Sequence, residues 1–247
     1  MLLDEDQLQI VLSMIVIFIL ILYLVGHIFR ATANDFPLDC VYIKPNDLNN
    51  GDIVCVSYYN ISGVIVSSFS NSIWSHTGII YVDPKTDIRY VLEGAVYRHE
   101  KYKHFFKIPL ETWLYFNRKS LIGYKKYHGP EIRSDFLWKK FEWMTKDCKL
   151  EPFNVFWSRF LISRNHYEYS RNNKYTCLEA SVILGQDVGI FKKDKIYSSY
   201  FPGSVVNNEI SLCDDVSYDL PIKIELHPTN SMLLKEDMIS NPQSWKN

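Results

Sequence analysis

The sequence lacks the signatures of several common enzyme chemistries. It has no Walker-type Gly-rich loop and no Gly-x-Ser-x-Gly elbow, which removes P-loop nucleotide hydrolysis and the usual serine-hydrolase arrangement. It has no Cys-x-x-Cys, no His-Glu-x-x-His and no paired Cys/His spacing, so neither a structural metal nor a cofactor is expected. His99 and His104 lie five apart in a basic, aromatic stretch and do not make such a site. The chain has no excess of positive charge. Its net charge is -1, the basic pairs Lys125-Lys126 and Lys192-Lys193 are short and read as solvated, and no nucleic-acid partner is expected. No internal repeat is present. Five cysteines do not make a disulfide framework, which fits a reducing compartment.

One long apolar run stands out. Residues 8–29 are almost entirely apolar, and at about 1.5 Å per residue they span roughly 33 Å, enough for a bilayer core. Gln9 and His27 lie near its ends. Ala31-Thr32-Ala33 resembles a signal cleavage site, but the leading segment is acidic (Asp4, Glu5, Asp6) and the run is long for a signal peptide. The expectation is an uncleaved single-pass anchor. Arg30 follows the span and no basic residue precedes it, so the positive-inside rule puts the following domain in the cytosol. In a lumenal orientation Asn60-Ile61-Ser62 would be a glycosylation acceptor.

Three reactive residues follow in readable settings. His76 lies in Trp74-Ser75-His76-Thr77-Gly78-Ile79, Glu93 in Val91-Leu92-Glu93-Gly94, and Cys177 in Tyr175-Thr176-Cys177-Leu178-Glu179. A thiol, a base to take its proton and a group to orient that base are the parts of a cysteine hydrolase or acyltransferase. Residues 76–82 and 88–94 read as strands around the turn Asp83-Pro84-Lys85-Thr86. With a four-residue loop, Val82 falls opposite Asp87 and His76 opposite Glu93, on one face of a hairpin. Thr176 and Glu179 have the spacing of a capping box, so a helix is expected to start at Cys177 and stop near Gly189. A thiol there meets the positive end of the helix dipole, and the free N–H groups of the first turn can hold an oxyanion. The other cysteines lack this setting. Cys55 sits in the apolar run Ile53-Val54-Cys55-Val56 and reads as core, and Cys40, Cys148 and Cys213 have no capping or base signal nearby.

With 47% hydrophobic and 15% aromatic residues, the chain beyond the apolar run has the content of a globular domain. The expected divisions are an anchor over 1–30, a polar linker over 31–47, a domain over 48–226 and a polar tail over 227–247. Strands are expected near 52–58, 62–69, 77–82, 88–95, 120–127 and 216–226. Helices are expected over 132–148, 153–163 and 177–187. The class is α+β, a mostly antiparallel sheet packed against helices and preceded by one transmembrane helix.

These segments together resemble the permuted NlpC-type papain-like enzymes. Asn50-Gly51-Asp52-Ile53 resembles their opening strand and Ser75-His76-Thr77-Gly78-Ile79 their His strand. Val91-Leu92-Glu93-Gly94 resembles the strand that carries the third polar residue, and Tyr175-Thr176-Cys177-Leu178-Glu179 the start of the Cys helix. Ser199-Tyr200-Phe201-Pro202-Gly203 resembles a later Pro-containing segment. The nearest subgroup is the YiiX-like proteins, with relatives in large DNA viruses, and lecithin retinol acyltransferase is a distant cousin. The resemblance covers about 48–205. It implies a circularly permuted papain-like domain with Cys177 as nucleophile, His76 as base and Glu93 as its orienter, acting on an amide, ester or thioester. The expected partners are a membrane and a lipid, acylated or peptide substrate. A cysteine peptidase and a non-enzymatic membrane or virion binding protein are the alternatives. Leu178 stands where the family usually has Ser. The anchor and the stretch 96–119 lie outside the common pattern.

Overall fold

The computed structural model describes residues 5–32, 40–42, 45–70, 72–95, 104–150, 174–193 and 202–225. The expected helix over 153–163, His99 and the tail over 227–247 lie outside them. The chain is α+β, as expected. Helix α1 (Glu5–Thr32) contains the stretch Asp6–Ile28, with mean hydropathy 3.0, which is long and apolar enough to cross a membrane. The domain then runs β1 (Cys40–Tyr42), β2 (Ile53–Ser57), α2 (Ile61–Ser70), β3 (His76–Val82), β4 (Arg89–Ala95), β5 (His104–Pro109), α3 (Leu110–Asn117), β6 (Leu121–Lys125), β7 (Tyr127–His128), α4 (Ser134–Asp147) and β8 (Lys149–Leu150). It continues with β9 (Lys174–Tyr175), α5 (Cys177–Asp187), α6 (Pro202–Val206), β10 (Ser217–Tyr218) and β11 (Ile222–Glu225).

The main sheet has the order β1-β11-β6-β2-β3-β4-β5 and is antiparallel except for the edge pair β1/β11. Strand β1 therefore draws part of the expected linker into the sheet. Side chains alternate across the strands. Ile53, Ile79, Tyr81, Leu92 and Phe105 pack on one face with Leu137, Phe141 and Met144 of α4 and Ala180, Val182 and Leu184 of α5. Val54, Val56, Ile80, Val91, Phe106 and Ile108 pack on the other face with Leu110, Trp113 and Leu114 of α3. The sheet thus has helices on both faces, and α5 crosses β3 and β4.

Three expectations are corrected. Residues 62–69 form helix α2 and not a strand. Asn60 Oδ1 accepts from Gly63 N–H at 2.8 Å, an N-cap that commits the run to a helix, and α2 then packs against α1 and α6. Hydrophobicity alone does not separate a short apolar strand from a buried helix. Secondly, the hairpin register differs. Val82 pairs with Arg89 and Ile79 with Leu92, so the turn spans 83–88. Asp83 Oδ1 accepts from Lys85 N–H at 2.9 Å, Asp83 N–H donates to Ile88 O at 3.0 Å, and Asp87 adopts φ 57°. These local bonds widen the turn by two residues. Thirdly, Lys125 is fully buried and not solvated. Its Nζ donates to Val206 O at 2.6 Å and to Asn208 Oδ1, tying β6 to the end of α6, and burial pushes its pKa down to about 8. Lys192 and Lys193 do lie at the surface, paired with Asp214 and Asp187.

Candidate active site

The change of register keeps the site intact. A shift of one residue would have put His76 and Glu93 on opposite faces, whereas a shift of two leaves them on the same face. Continuing the observed ladder sets Gly78, not His76, opposite Glu93. His76 and Glu93 are therefore diagonal neighbours, within reach of long side chains. Their side chains meet: His76 Nε2 lies 2.7 Å from Glu93 Oε2. His76 is 5% exposed and Glu93 is fully buried.

The carboxylate has a second partner that the sequence reading missed. Trp113 Nε1–H of α3 donates to the same Glu93 Oε2 at 2.7 Å. Residues 110–117 carried no helix expectation, and their relation to Glu93 arises only when α3 folds onto the sheet. Glu93 thus holds the imidazole on one side and is itself fixed by an indole on the other.

Cys177 arrives from the opposite face of the sheet at the first residue of α5, as the capping box implied. Thr176 Oγ1 accepts from Glu179 N–H at 3.3 Å, and Glu179 Oε2 accepts from Thr176 N–H at 2.7 Å. Both halves of the box are formed, and Glu179 is buried. The box takes up the Glu179 N–H, and the N–H groups of Cys177 and Leu178 precede the first intrahelical bond, Ala180 N–H to Thr176 O, at the end of the helix that favours negative charge. Further along α5, Ser181 Oγ–H donates to Thr77 O at 3.4 Å, linking the Cys helix to the strand of His76.

Gly94 explains how α5 comes so close to β4. A Cβ at Gly94 would stand 3.2 Å from Cys177 Cα and 2.8 Å from Leu150 Cδ1. Gly94→Val is accordingly expected to lift the start of α5. Alkylation of Cys177 should slow by about tenfold or more, with Cys213 alkylation in the same protein unchanged. Equal rates at Cys177 in variant and wild type would rule out this role for the close approach.

Two opposing influences set the charge on His76. Burial alone lowers its pKa. The Glu93 carboxylate, then the Cys177 thiol within hydrogen-bonding reach, outweigh burial and raise it to about 10. With Nε2 committed to Glu93, Nδ1 is the ring nitrogen left for the thiol. Cys148 is buried, and burial, then Asp147, push its thiol up to about 11. Cys55 is buried in the core, as expected. Asp52, from the opening-strand segment, serves the fold. Its carboxylate accepts from Asn49 N–H and Tyr127 N–H, each at 2.8 Å, and burial raises its pKa to about 6. Among the described residues no group of three or more His, Cys, Asp or Glu is placed to hold a metal ion.

Comparison with known proteins adds little to this geometry. No protein-family model matches the chain, and no curated protein matches it. Among solved structures it is similar to the metalloprotein yiiX from Escherichia coli O157:H7, a DUF1105 protein, at 12% identity and a TM-score of 0.41. That match covers 72% of this chain and 98% of the other.

Proposed function

We propose that this chain is a membrane-anchored thiol hydrolase or acyltransferase of the permuted papain-like kind. Cys177 is its nucleophile, His76 its acid–base group and Glu93 the group that orients the imidazole. The observation that carries the reading is the buried chain Trp113–Glu93–His76, with the Cys177 thiol at a helix N-terminus within hydrogen-bonding reach of the imidazole. The thiol's proton passes to His76, whose pKa Glu93 raises to about 10 and which therefore holds it well.

Attack of the Cys177 sulfur on an amide, ester or thioester carbonyl forms the S–C bond, and the negative charge passes to the carbonyl oxygen. The first-turn N–H groups of α5 are suited to that oxyanion. Collapse breaks the bond to the leaving group, and His76 supplies its proton. Water or a second acceptor then attacks the acyl-enzyme, giving its proton to His76 and releasing the thiolate. The chemistry needs no cofactor. In this reading α1 anchors the protein in a bilayer, the domain faces the cytosol, and the substrates are lipids, lipid-linked molecules or peptides.

The test is alkylation of the full chain in detergent micelles by a thiol-directed electrophile. Near pH 6.5, where an ordinary thiol with a pKa of about 8.5 is almost wholly protonated, Cys177 should react much faster than Cys213. His76→Ala should remove that advantage, and Cys177→Ala should remove the signal. Turnover of acylated lipids against peptides then identifies the bond. A Cys177 no more reactive than Cys213 in the folded protein would rule out the catalytic reading in favour of a binding role.

A further inference from the structure

Tyr58 is a side chain at this site that the proposed reaction does not yet use. Its ring centroid lies 5.8 Å from that of His76, with the planes 34° apart, a tilted stack on the imidazole. Glu93 and Cys177 both lie near its hydroxyl. Burial, then Glu93, then Cys177 raise its pKa well above 10, so the phenol keeps its proton across the working range. A neutral, flat ring thus occupies the space beside the imidazole without bringing another charge to it.

The backbone around Tyr58 is held on two sides. Tyr58 N–H donates to Ser75 Oγ at 2.9 Å, and that hydroxyl donates to Val56 O at 3.2 Å. Ser75 immediately precedes His76, so the same short segment fixes both rings. On the other side, a Cβ on Gly63 would come within 2.4 Å of Tyr58 O and 2.6 Å of Tyr58 Cβ. Only glycine at that position lets the first turn of α2 pack directly onto Tyr58. Asn60 caps the turn that makes this approach. The backbone and Cβ of Tyr58 are therefore held between α2 and the Ser75–His76 segment, which sets the ring beside the imidazole.

We propose that Tyr58 is a positioning residue of the site. Its ring, carried on a backbone held by Gly63 and Ser75, holds the His76 imidazole in the plane where Nε2 meets Glu93 and Nδ1 faces Cys177. This rests on the catalytic reading of Cys177 and His76. The Glu93 contact fixes one end of the imidazole, while rotation about that bond would swing Nδ1 away from the thiol. A flat wall beside the ring opposes that rotation, and aromatic pairs in this geometry add a modest attraction.

The experiment compares the full chain in detergent micelles as wild type, Tyr58→Phe, Tyr58→Leu and Gly63→Ala. Three readouts are taken: Cys177 alkylation relative to Cys213, the thermal midpoint, and the imidazole nitrogen signals of His76 in protein labelled at histidine. Tyr58→Phe keeps the ring and should match wild type in alkylation and in the His76 signals. Tyr58→Leu keeps apolar bulk but not the flat ring. It should slow Cys177 alkylation by about tenfold, the scale of effect expected from misplacing a reacting group, and should shift the His76 signals. Gly63→Ala, which pushes on Tyr58 from behind, should move both readouts in the same direction. The proposal is overturned if Tyr58→Leu folds with wild-type His76 signals and a wild-type alkylation rate. If wild-type Cys177 reacts no faster than Cys213, the catalytic reading itself fails and this inference with it. A fast wild-type thiol left unchanged by Tyr58→Leu removes only the role of Tyr58.

Discussion

Glu93→Gln should reduce turnover by about 10²- to 10⁴-fold, the range associated with a positioned acid–base group. The amide oxygen has two lone pairs and can still accept from both Trp113 and His76, as Oε2 does in the wild type, so the shape of the site is largely kept. What it loses is the charge. In the wild type the pKa of His76 is raised from 6.5 to about 10, with Glu93 as the leading cause of the rise. A group whose folded pKa exceeds its unfolded value contributes stability that is full below about 6.5 and is lost as pH climbs through about 10. Wild-type stability should therefore fall across that window. In Glu93→Gln the imidazole is neutral at neutral pH, so the fall should shrink or vanish, and the variant should be the less stable protein at the acid end. Denaturant midpoints taken at both ends of the window check this. An equal fall in both proteins would mean that Glu93 does not hold the proton on His76.

Trp113→Ala should destabilise the domain by about 3–5 kcal/mol, the usual result of removing a buried large aromatic side chain. Trp113 is fully buried in the cluster formed by Val54, Val56, Ile80, Val91 and Ile108. It also supplies one of the hydrogen bonds that Glu93 Oε2 accepts. Trp113→Phe separates the two contributions, because it keeps most of the ring and deletes the N–H. Loss of a donor to a buried acceptor destabilises by about 1–3 kcal/mol. The Phe variant should also slow Cys177 alkylation, since Glu93 is then held less firmly. Urea unfolding alongside alkylation gives both numbers. A Phe variant equal to wild type in both would show that the indole N–H plays no part.

Much of this site was legible because its determinants are local in sequence. The capping box needs only Thr176 and Glu179, three residues apart, and it fixed the start of α5 at Cys177. The shared face of His76 and Glu93 needs only strand alternation and an even shift, so it survived a mistaken turn length. That turn was misread because its length depends on hydrogen bonds by Asp83 and Thr86 that composition does not specify. The contributions of Trp113 and Tyr58 were not legible at all. Trp113 reaches Glu93 only through the packing of α3. Tyr58 stacks on His76 and packs against α2, which is a helix where the apolar, β-branched run read as a strand. The signal for that helix was present in Asn60, whose capping geometry has meaning only once the first turn exists.

The contact between α1 and α2 has a consequence for reach. Near the end of α1, Gly26 is buried and Leu22, Tyr23 and Val25 are half-buried, so this part of the helix leans on α2 instead of standing apart from the domain. If α1 is the anchor, the distance from the bilayer to Tyr58 and His76 is set by packed side chains and not by the length of residues 33–39. A domain on a slack tether samples a hemisphere and can meet a facing membrane. One seated on its own anchor, through residues within the Asp6–Ile28 stretch, is held against the leaflet it is rooted in. Encounters with targets would then be two-dimensional, rising with surface density and insensitive to bulk dilution, and partners in an apposed membrane would have to be brought to it.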